Sequence, residues 1–339
     1  MNGRERVTAA LNFEKPDRVP VYPLIHFASA RVIGMKIRDF AMNGKKMAKA
    51  LIAAYREYGY DGVHPGVDVS IEGEAVGSKL RQPEDATAFL IDPVLKNPDD
   101  LDKLKVPDPL KDGRMPVVVE ATKICSKEIG REAFISAWVM GPLNCASQIR
   151  GVEQLMLDTA DRPEFVNRLL RFCVEVITEY GNALIDSGAS MVNMGEALCS
   201  PNFISPNMYK KMIVPHQKEL VKNLMKHDAE YTLLHICGDI HPIMEDTIAT
   251  GAKLIDIDWQ VDIERMIKQI DRKIAARGNL NPAGNLLLGT PEDVMKEAEK
   301  VIKDAKGWEG LILGSGCDVA RDTPPDNLKA LVKASMKYS

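Results

Sequence analysis

Cysteine is sparse in this chain, and neither sign of charge dominates. Six cysteines, at positions 125, 145, 173, 199, 237 and 317, are spread over 339 residues. That is too thin for a disulfide framework, and in a reducing compartment such thiols are free to bind metal. With 44 basic against 48 acidic residues and a formal net charge of -4, the chain has no bulk attraction for nucleic acid or for an anionic membrane. No Gly-x-Gly-x-x-Gly or Gly-x-x-x-x-Gly-Lys-Ser/Thr stretch supports a nucleotide-binding sheet. No apolar run approaches the ~18 residues of a membrane span. The opening Met-Asn-Gly-Arg-Glu-Arg leads into an amphipathic helix and lacks the apolar core of a signal peptide. These absences predict a cytoplasmic protein with no nucleic-acid or membrane partner. A hydrophobic fraction of 45% and a charged fraction of 27% are those of an ordinary globular chain able to bury a large core.

Against that background two short stretches stand out. A leucine-rich run, Tyr231 to Leu234, ends in His235-Ile-Cys237-Gly238, and a second apolar run, Leu311-Ile-Leu313, ends in Gly-Ser-Gly-Cys317-Asp318. Both resemble buried strands that stop at a metal ligand. A lone histidine or cysteine in apolar surroundings is more often a core residue. The second cysteine, also where a strand gives way to a loop, shifts the balance toward metal. One imidazole and two thiolates, His235, Cys237 and Cys317, form the ligand set of a zinc site with one open position. Residues two apart on an extended segment share a face, so His235 and Cys237 can reach one ion, and Gly238 lets the backbone turn away.

Taken in order, the chain alternates strand and helix. A helix is predicted over Arg4 to Phe13, and Lys15-Pro-Asp-Arg-Val-Pro20 breaks it before a strand, Val21 to Phe27. A helix follows around Met42 to Tyr58, then a short strand at Asp61-Gly-Val-His64. Residues 84–116, with seven aspartates and several prolines, form a polar insertion or lid, because alternation resumes after it. Later strands are expected at Ala133 to Val139, Ser190 to Met194, the Leu233 run, Leu254 to Ile257, Ile274 to Gly278 and Leu311 to Leu313. Ser205-Pro206, Thr290-Pro291 and Thr323-Pro324 read as capped helix starts. Alternation of about eight strands with helices demands parallel pairing and implies an α/β chain, a (β/α)8 TIM barrel with an N-terminal helical extension, as a single domain over residues 1–339. Glu196, His235, Cys237, Asp258, Asn279, Asn281 and Cys317 all fall at or just after strand ends, the rim where barrels build their sites.

Four stretches carry a resemblance to a known family: the opening Arg4-Glu-Arg through Lys15-Pro-Asp-Arg-Val-Pro20; His235-Ile-Cys-Gly238; Gly278-Asn-Leu-Asn-Pro282; and Gly314-Ser-Gly-Cys-Asp-Val-Ala-Arg-Asp-Thr-Pro-Pro325. They resemble the uroporphyrinogen decarboxylase superfamily, and within it the cobamide-dependent methyltransferases, over nearly the whole chain. The resemblance implies zinc held by His235, Cys237 and Cys317, and methyl transfer between a methylcorrinoid and a small thiol such as coenzyme M, with a homodimer as the family-level assembly. Decarboxylases of the family resemble one another in an Arg-Gln-Ala-Gly-Arg segment after the first strand. Here that place reads Leu24-Ile-His-Phe-Ala-Ser-Ala-Arg31, without paired arginines, which argues against a porphyrinogen substrate.

In the expected chemistry a substrate thiol takes the open zinc position, ionises, and exchanges a methyl group with cobalamin. Glu196 and Asp258 are candidates to help remove the thiol proton or to fill the empty position, though acidic residues at loop entrances also cap helices. Asp239 is a candidate to orient His235. Asn279, Asn281 and His64 are candidates for substrate binding; His216 and His241 read as structural. Asp239-Ile-His241-Pro-Ile-Met244 lacks the glycine of a cobalt-binding Asp-x-His-x-x-Gly motif, so the corrinoid is expected on a partner corrinoid protein docked over the barrel mouth. Two other classes stay open: a decarboxylase-like lyase or zinc hydrolase, and a non-catalytic corrinoid or metal carrier.

Overall fold

The longest helix of the chain explains how the framework packs. A computed structural model describes residues 1–339, and in it Pro163–Asp186 runs as one helix whose buried positions Val166, Leu169, Leu170, Cys173, Val176, Ile177, Tyr180 and Leu184 recur at three- and four-residue spacing. That stripe packs against parallel strands apolar on both faces, the pattern expected when helices cover a parallel sheet. Strand β4, Phe134–Met140, is buried along its whole length.

The remaining strands are β1 Gly62–Val63, β2 Lys79–Arg81, β3 Phe89–Asp92, β5 Met191–Gly195, β6 Tyr231–His235, β7 Leu254–Asp256, β8 Ala275–Leu280 and β9 Leu311–Ser315. Seven form a parallel sheet in the order β1-β4-β5-β6-β7-β8-β9. The eighth position belongs to Pro20–Tyr22. Tyr22 N–H donates to Leu313 O at 2.8 Å, Leu313 N–H to Pro20 O at 2.8 Å, and Asp61 N–H to Val21 O at 2.7 Å. This segment therefore closes the ring between β9 and β1. The strand expected over Val21 to Phe27 is reduced to one bridge, Val21 to Leu313, because Pro20 and Pro23 lack the N–H that a longer ladder needs.

Other boundaries shift little. The first helix is Gly3–Leu11, started by a capping box between Asn2 and Glu5. Thr290 and Asp293 form a second box and Ser205 caps at Met208 N–H, but Thr323 makes no such bond; the last helix, Pro325–Tyr338, starts without a side-chain cap. The expected insertion starts in the turn of the β2–β3 hairpin, holds β3 and a 3-10 turn at Pro98–Lys103, and its end overlaps the helix Met115–Ile129. No helix is long and apolar enough to cross a membrane.

One carboxylate ties the closure together. Asp61, 2% exposed, accepts from Arg6 and Arg18 at 2.9 Å each and from Val21 N–H at 2.7 Å. It joins the first helix, the closing segment and the entry to β1. Breaking a buried ion pair costs about 3 to 5 kcal/mol, and the partial exposure of Arg6 and Arg18 puts the loss of the buried Asp61 near the lower end. Urea unfolding of Asp61→Ala at neutral pH should show a loss of that size; a loss below about 1 kcal/mol would contradict this role.

Candidate metal centre and cavity

Strand β6 delivers His235 as its last residue, and the chain turns at Gly238, whose φ of +85° suits glycine. Strand β9 brings Cys317 from the other side of β7 and β8. The Cys237 sulfur lies 3.3 Å from His235 Nε2, the Cys317 sulfur lies 3.9 Å from the same nitrogen, and the two sulfurs are 4.0 Å apart. Tetrahedral zinc, with bonds of about 2.3 Å to sulfur and about 2.05 Å to nitrogen, sets sulfur–sulfur and sulfur–nitrogen separations of about 3.8 and 3.6 Å. The three ligand atoms stand within about 0.3 Å of those separations, so the residues fit the ion.

The side chain that orients His235 is Asp256, not Asp239. His235 pairs in register with Asp256, and Asp256 with Arg277, across β6, β7 and β8. His235 Nδ1 is 2.9 Å from one Asp256 oxygen, and Arg277 donates Nε at 2.6 Å and Nη2 at 2.8 Å to the two Asp256 oxygens. The carboxylate thus accepts the hydrogen bond from Nδ1–H and turns Nε2 toward the two thiols, as the ring nitrogen that would ligate a metal. Burial pushes Asp256 up, but the Arg277 charge and the bonds from His235 and Arg277 hold it below the usual carboxylate range. Burial opposes the charged form of His235, yet its bonds to Asp256 and Cys317 push it up to about 10. The bond between the thiols lowers Cys237 against burial and, with burial, raises Cys317. Asp239 instead accepts from His241 N–H at 3.0 Å.

A cavity of about 320 Å³ opens onto the three ligands at the C-terminal ends of the strands. Its walls include Leu24, Phe27, Val67, Trp138 and Met140, together with His26, Asp68, Asn144 and Asp318. None of Glu196, Asp258, Asn279, Asn281 and His64 lines it. Glu196 is fully buried, and its oxygens accept from Leu143 N–H at 3.2 Å and Asn144 N–H at 3.0 Å. The helix Pro142–Arg150 has glycine at its N-cap, so Glu196 caps it from another strand. Asp258 accepts from Gly238 N–H at 3.0 Å and from Gln260 N–H at 3.1 Å, which fixes the loop carrying Cys237. The Asn279 amide donates to Asp258 O and Val261 O, and Asn281 accepts from Ala283 and Gly284 N–H. His64, 1% exposed, accepts from Ile25 N–H through Nε2 at 2.9 Å, and burial lowers it well below its ordinary value. These five brace the walls and loops around the cavity.

Sequence reasoning missed Asp256, Arg277 and the pair of His26 with Asp318, joined at 2.9 Å. A signal existed for the first two: an aspartate ends the Leu254-Ile-Asp run, and an arginine interrupts Ala275-Ala-Arg277. No comparable pattern marks His26, whose partner lies 292 residues away.

A closed parallel barrel with an imidazole and two thiols gathered at its mouth defines a class of barrel enzymes whose site is able to hold a metal ion. The model of the uroporphyrinogen decarboxylase family (URO-D) matches residues 2–338, and the chain belongs to that family. It is 29% identical to methylcobamide:CoM methyltransferase MtbA of Methanosarcina acetivorans over 99% of this chain and 98% of the relative. It is 28% identical to methylcobamide:CoM methyltransferase MtaA of Methanosarcina barkeri, again over 99% and 98%. A solved methyltransferase from Methanosarcina mazei superposes with a TM-score of 0.92 at 25% identity, covering 100% of this chain and 99% of that one. A uroporphyrinogen decarboxylase of Chlorobium chlorochromatii is 26% identical over 78% of this chain and 76% of its own. The methyltransferase resemblance expected from the sequence agrees with these relatives.

The buried cap has a pH signature. Burial, partly offset by the bonds from Asn144, Leu143 and Gln217, pushes Glu196 up to about 7. A carboxyl whose pKa rises on folding stabilises the fold fully below its unfolded value, and that contribution is lost as pH rises through the folded one. Between pH 5 and 8 the unfolding free energy of the wild type should fall relative to Glu196→Gln by about 2.5 kcal/mol. Denaturant titrations at several pH values measure it, and parallel pH profiles would contradict the cap's titration.

Proposed function

We propose that this protein is a zinc-dependent methyltransferase that moves a methyl group between a methylcorrinoid, carried by a partner corrinoid protein, and a small thiol. The observation that carries this reading is the set of ligand atoms on His235, Cys237 and Cys317, at tetrahedral separations and facing a cavity of about 320 Å³. Bound there, zinc lowers the pKa of a substrate thiol and supplies a thiolate at neutral pH. The relatives named for methylcobamide and coenzyme M support the same chemistry.

The chain's own residues divide the remaining tasks. His235, Cys237 and Cys317 would hold the ion, and all three line the cavity into which a thiol would enter. Asp256 keeps the His235 ring in one tautomer and one orientation, and Arg277 balances the Asp256 charge inside the barrel. Asp258 holds the turn after Cys237 through Gly238 N–H. The apolar walls exclude water from the thiol. A corrin ring with its side chains exceeds this cavity several-fold, so the donor comes to the mouth from outside, where a corrinoid protein presents it. A general base is not required for transfer once the thiol has ionised, which suits the engagement of Glu196 and Asp258 with backbone N–H groups. A reducing cytoplasm keeps both cysteines available.

The alternatives fare less well. A porphyrinogen decarboxylase handles a substrate with eight carboxylates, and no lysine or arginine lines the cavity. A zinc hydrolase needs a free base beside the metal, but Glu196 and Asp258 accept from backbone N–H groups, and the two acids that line the cavity, Asp68 and Asp318, are paired with Arg114 and His26.

Elemental analysis should find one equivalent of zinc. Thiol-dependent conversion of methylcobalamin to cob(I)alamin, followed by absorbance, should be abolished by Cys317→Ala. Zinc without thiol-dependent demethylation would turn the assignment to a lyase, a hydrolase or a carrier, and a metal-free protein unable to take up zinc would remove its basis. Asp256→Asn should weaken zinc binding by about 10- to 100-fold in chelator competition; unchanged affinity would contradict the orienting role.

A further inference from the structure

The charges that face the cavity bear on which thiol it accepts. Seventeen residues line it, ten of them hydrophobic, and none is a lysine or an arginine. Two carboxylates do line it, Asp68 and Asp318. Asp68 is bound by Arg114 at 2.6 Å, but the same guanidinium also binds Glu74 at 2.6 Å. One cation thus serves two anions, and the group keeps a net negative charge. Asp318 binds His26 at 2.9 Å, a pair that adds no surplus positive charge. Deeper in the barrel, Arg277 and Asp256 cancel, and two cysteinates cancel the charge of a zinc ion.

Nothing on the wall therefore offers a surplus positive charge to the far end of a bound thiol. An anionic tail would lose its hydration among Leu24, Phe27, Val67 and Met140 and meet Asp68 or Asp318 without a compensating cation. An uncharged tail meets apolar surface, with the Asn144 side chain as a polar neighbour. We infer that the acceptor for which this cavity is built is a small thiol with no anionic group, an alkyl or hydroxyalkyl thiol in place of a sulfonate or carboxylate. This rests on the methyl-transfer reading for the acceptor's being a thiol, and it differs from the coenzyme M in the relatives' names.

The test uses the zinc-loaded protein with methylcobalamin as donor and a panel of four thiols: 2-mercaptoethanesulfonate, 3-mercaptopropionate, 2-mercaptoethanol and 1-propanethiol. Rates are compared at equal thiolate concentration, so that intrinsic acidity drops out. The uncharged pair should exceed the anionic pair in kcat/KM by tenfold or more. Asp318→Asn, at a half-exposed position, should narrow that ratio several-fold by raising the anionic thiols. A preference for the sulfonate or the carboxylate would overturn the inference. Binding gives a second readout, because Trp138 lines the cavity and its fluorescence reports occupancy, with Trp138→Phe as the control. Tighter binding of the uncharged thiols without turnover by any thiol would uphold the selectivity while removing the methyl-transfer reading. Tighter binding of the anionic thiols would overturn the selectivity whether or not turnover occurs.

Discussion

The salt bridge between Arg277 and Asp256 is the constraint on which the site depends. A guanidinium only 1% exposed at the centre of a barrel is tolerable only with a carboxylate in bidentate contact, since an uncompensated charge there carries a heavy desolvation cost. Once Asp256 is held in that way, its second task follows. The oxygen that takes Arg277 Nη2 also faces His235 Nδ1, so the imidazole cannot rotate without losing a buried charge-assisted bond. The parallel register places all three residues at one level on adjacent strands. The position of Nε2 is thus fixed by strand pairing, and the thiols meet it there.

The second half of the ligand set depends on close approach. Cys317 leaves β9 directly after Gly316, where an added Cβ would stand 2.5 Å from Trp259 N. Only glycine lets the β9 exit lie against the β7 loop, the loop that supplies Asp258 to Gly238 N–H. The Gly-Ser-Gly-Cys stretch is therefore a packing requirement as much as a ligand motif. It brings two loops close enough for the cysteines, 80 positions apart in sequence, to stand 4.0 Å apart.

How much of this was legible in the sequence follows from the range of each interaction. His235 and Cys237 sit two residues apart at the end of an apolar run, and Cys317 ends another, so residue type and local pattern suffice to find them. The barrel was legible for the same reason, because alternation of apolar strands and amphipathic helices is a local property. Glu196, Asp258, Asn279 and Asn281 stand as polar residues at strand ends, but Glu196, Asp258 and Asn279 bond backbone groups of other segments, and Asn281 caps the turn that follows it. A capping carboxylate and a catalytic one have the same sequence signature when the helix being capped lies on another strand's loop. The closing strand was overestimated because its apolar pattern, Val21 to Phe27, is interrupted for hydrogen bonding by Pro23, which periodicity does not register.

The polar stretch after residue 84 shows how composition and structure diverge. Its aspartates and prolines suit a mobile cover, but its end is anchored by one of the least exposed cations in the molecule. Arg114 is 3% exposed and binds Asp68, which lines the cavity, as well as Glu74 beside it. Asp85, at the other end, accepts from Ile37 N–H at 3.0 Å and from Arg321 at 2.7 Å. Thr87 and Ala88 then line the cavity just before β3. A lid that swung as a unit would have to expose Arg114 or strip it from Asp68, and a buried ion pair resists both. The stretch is therefore part of the wall, and it meets the cavity through Thr87, Ala88 and the Arg114 guanidinium that holds Asp68 in place.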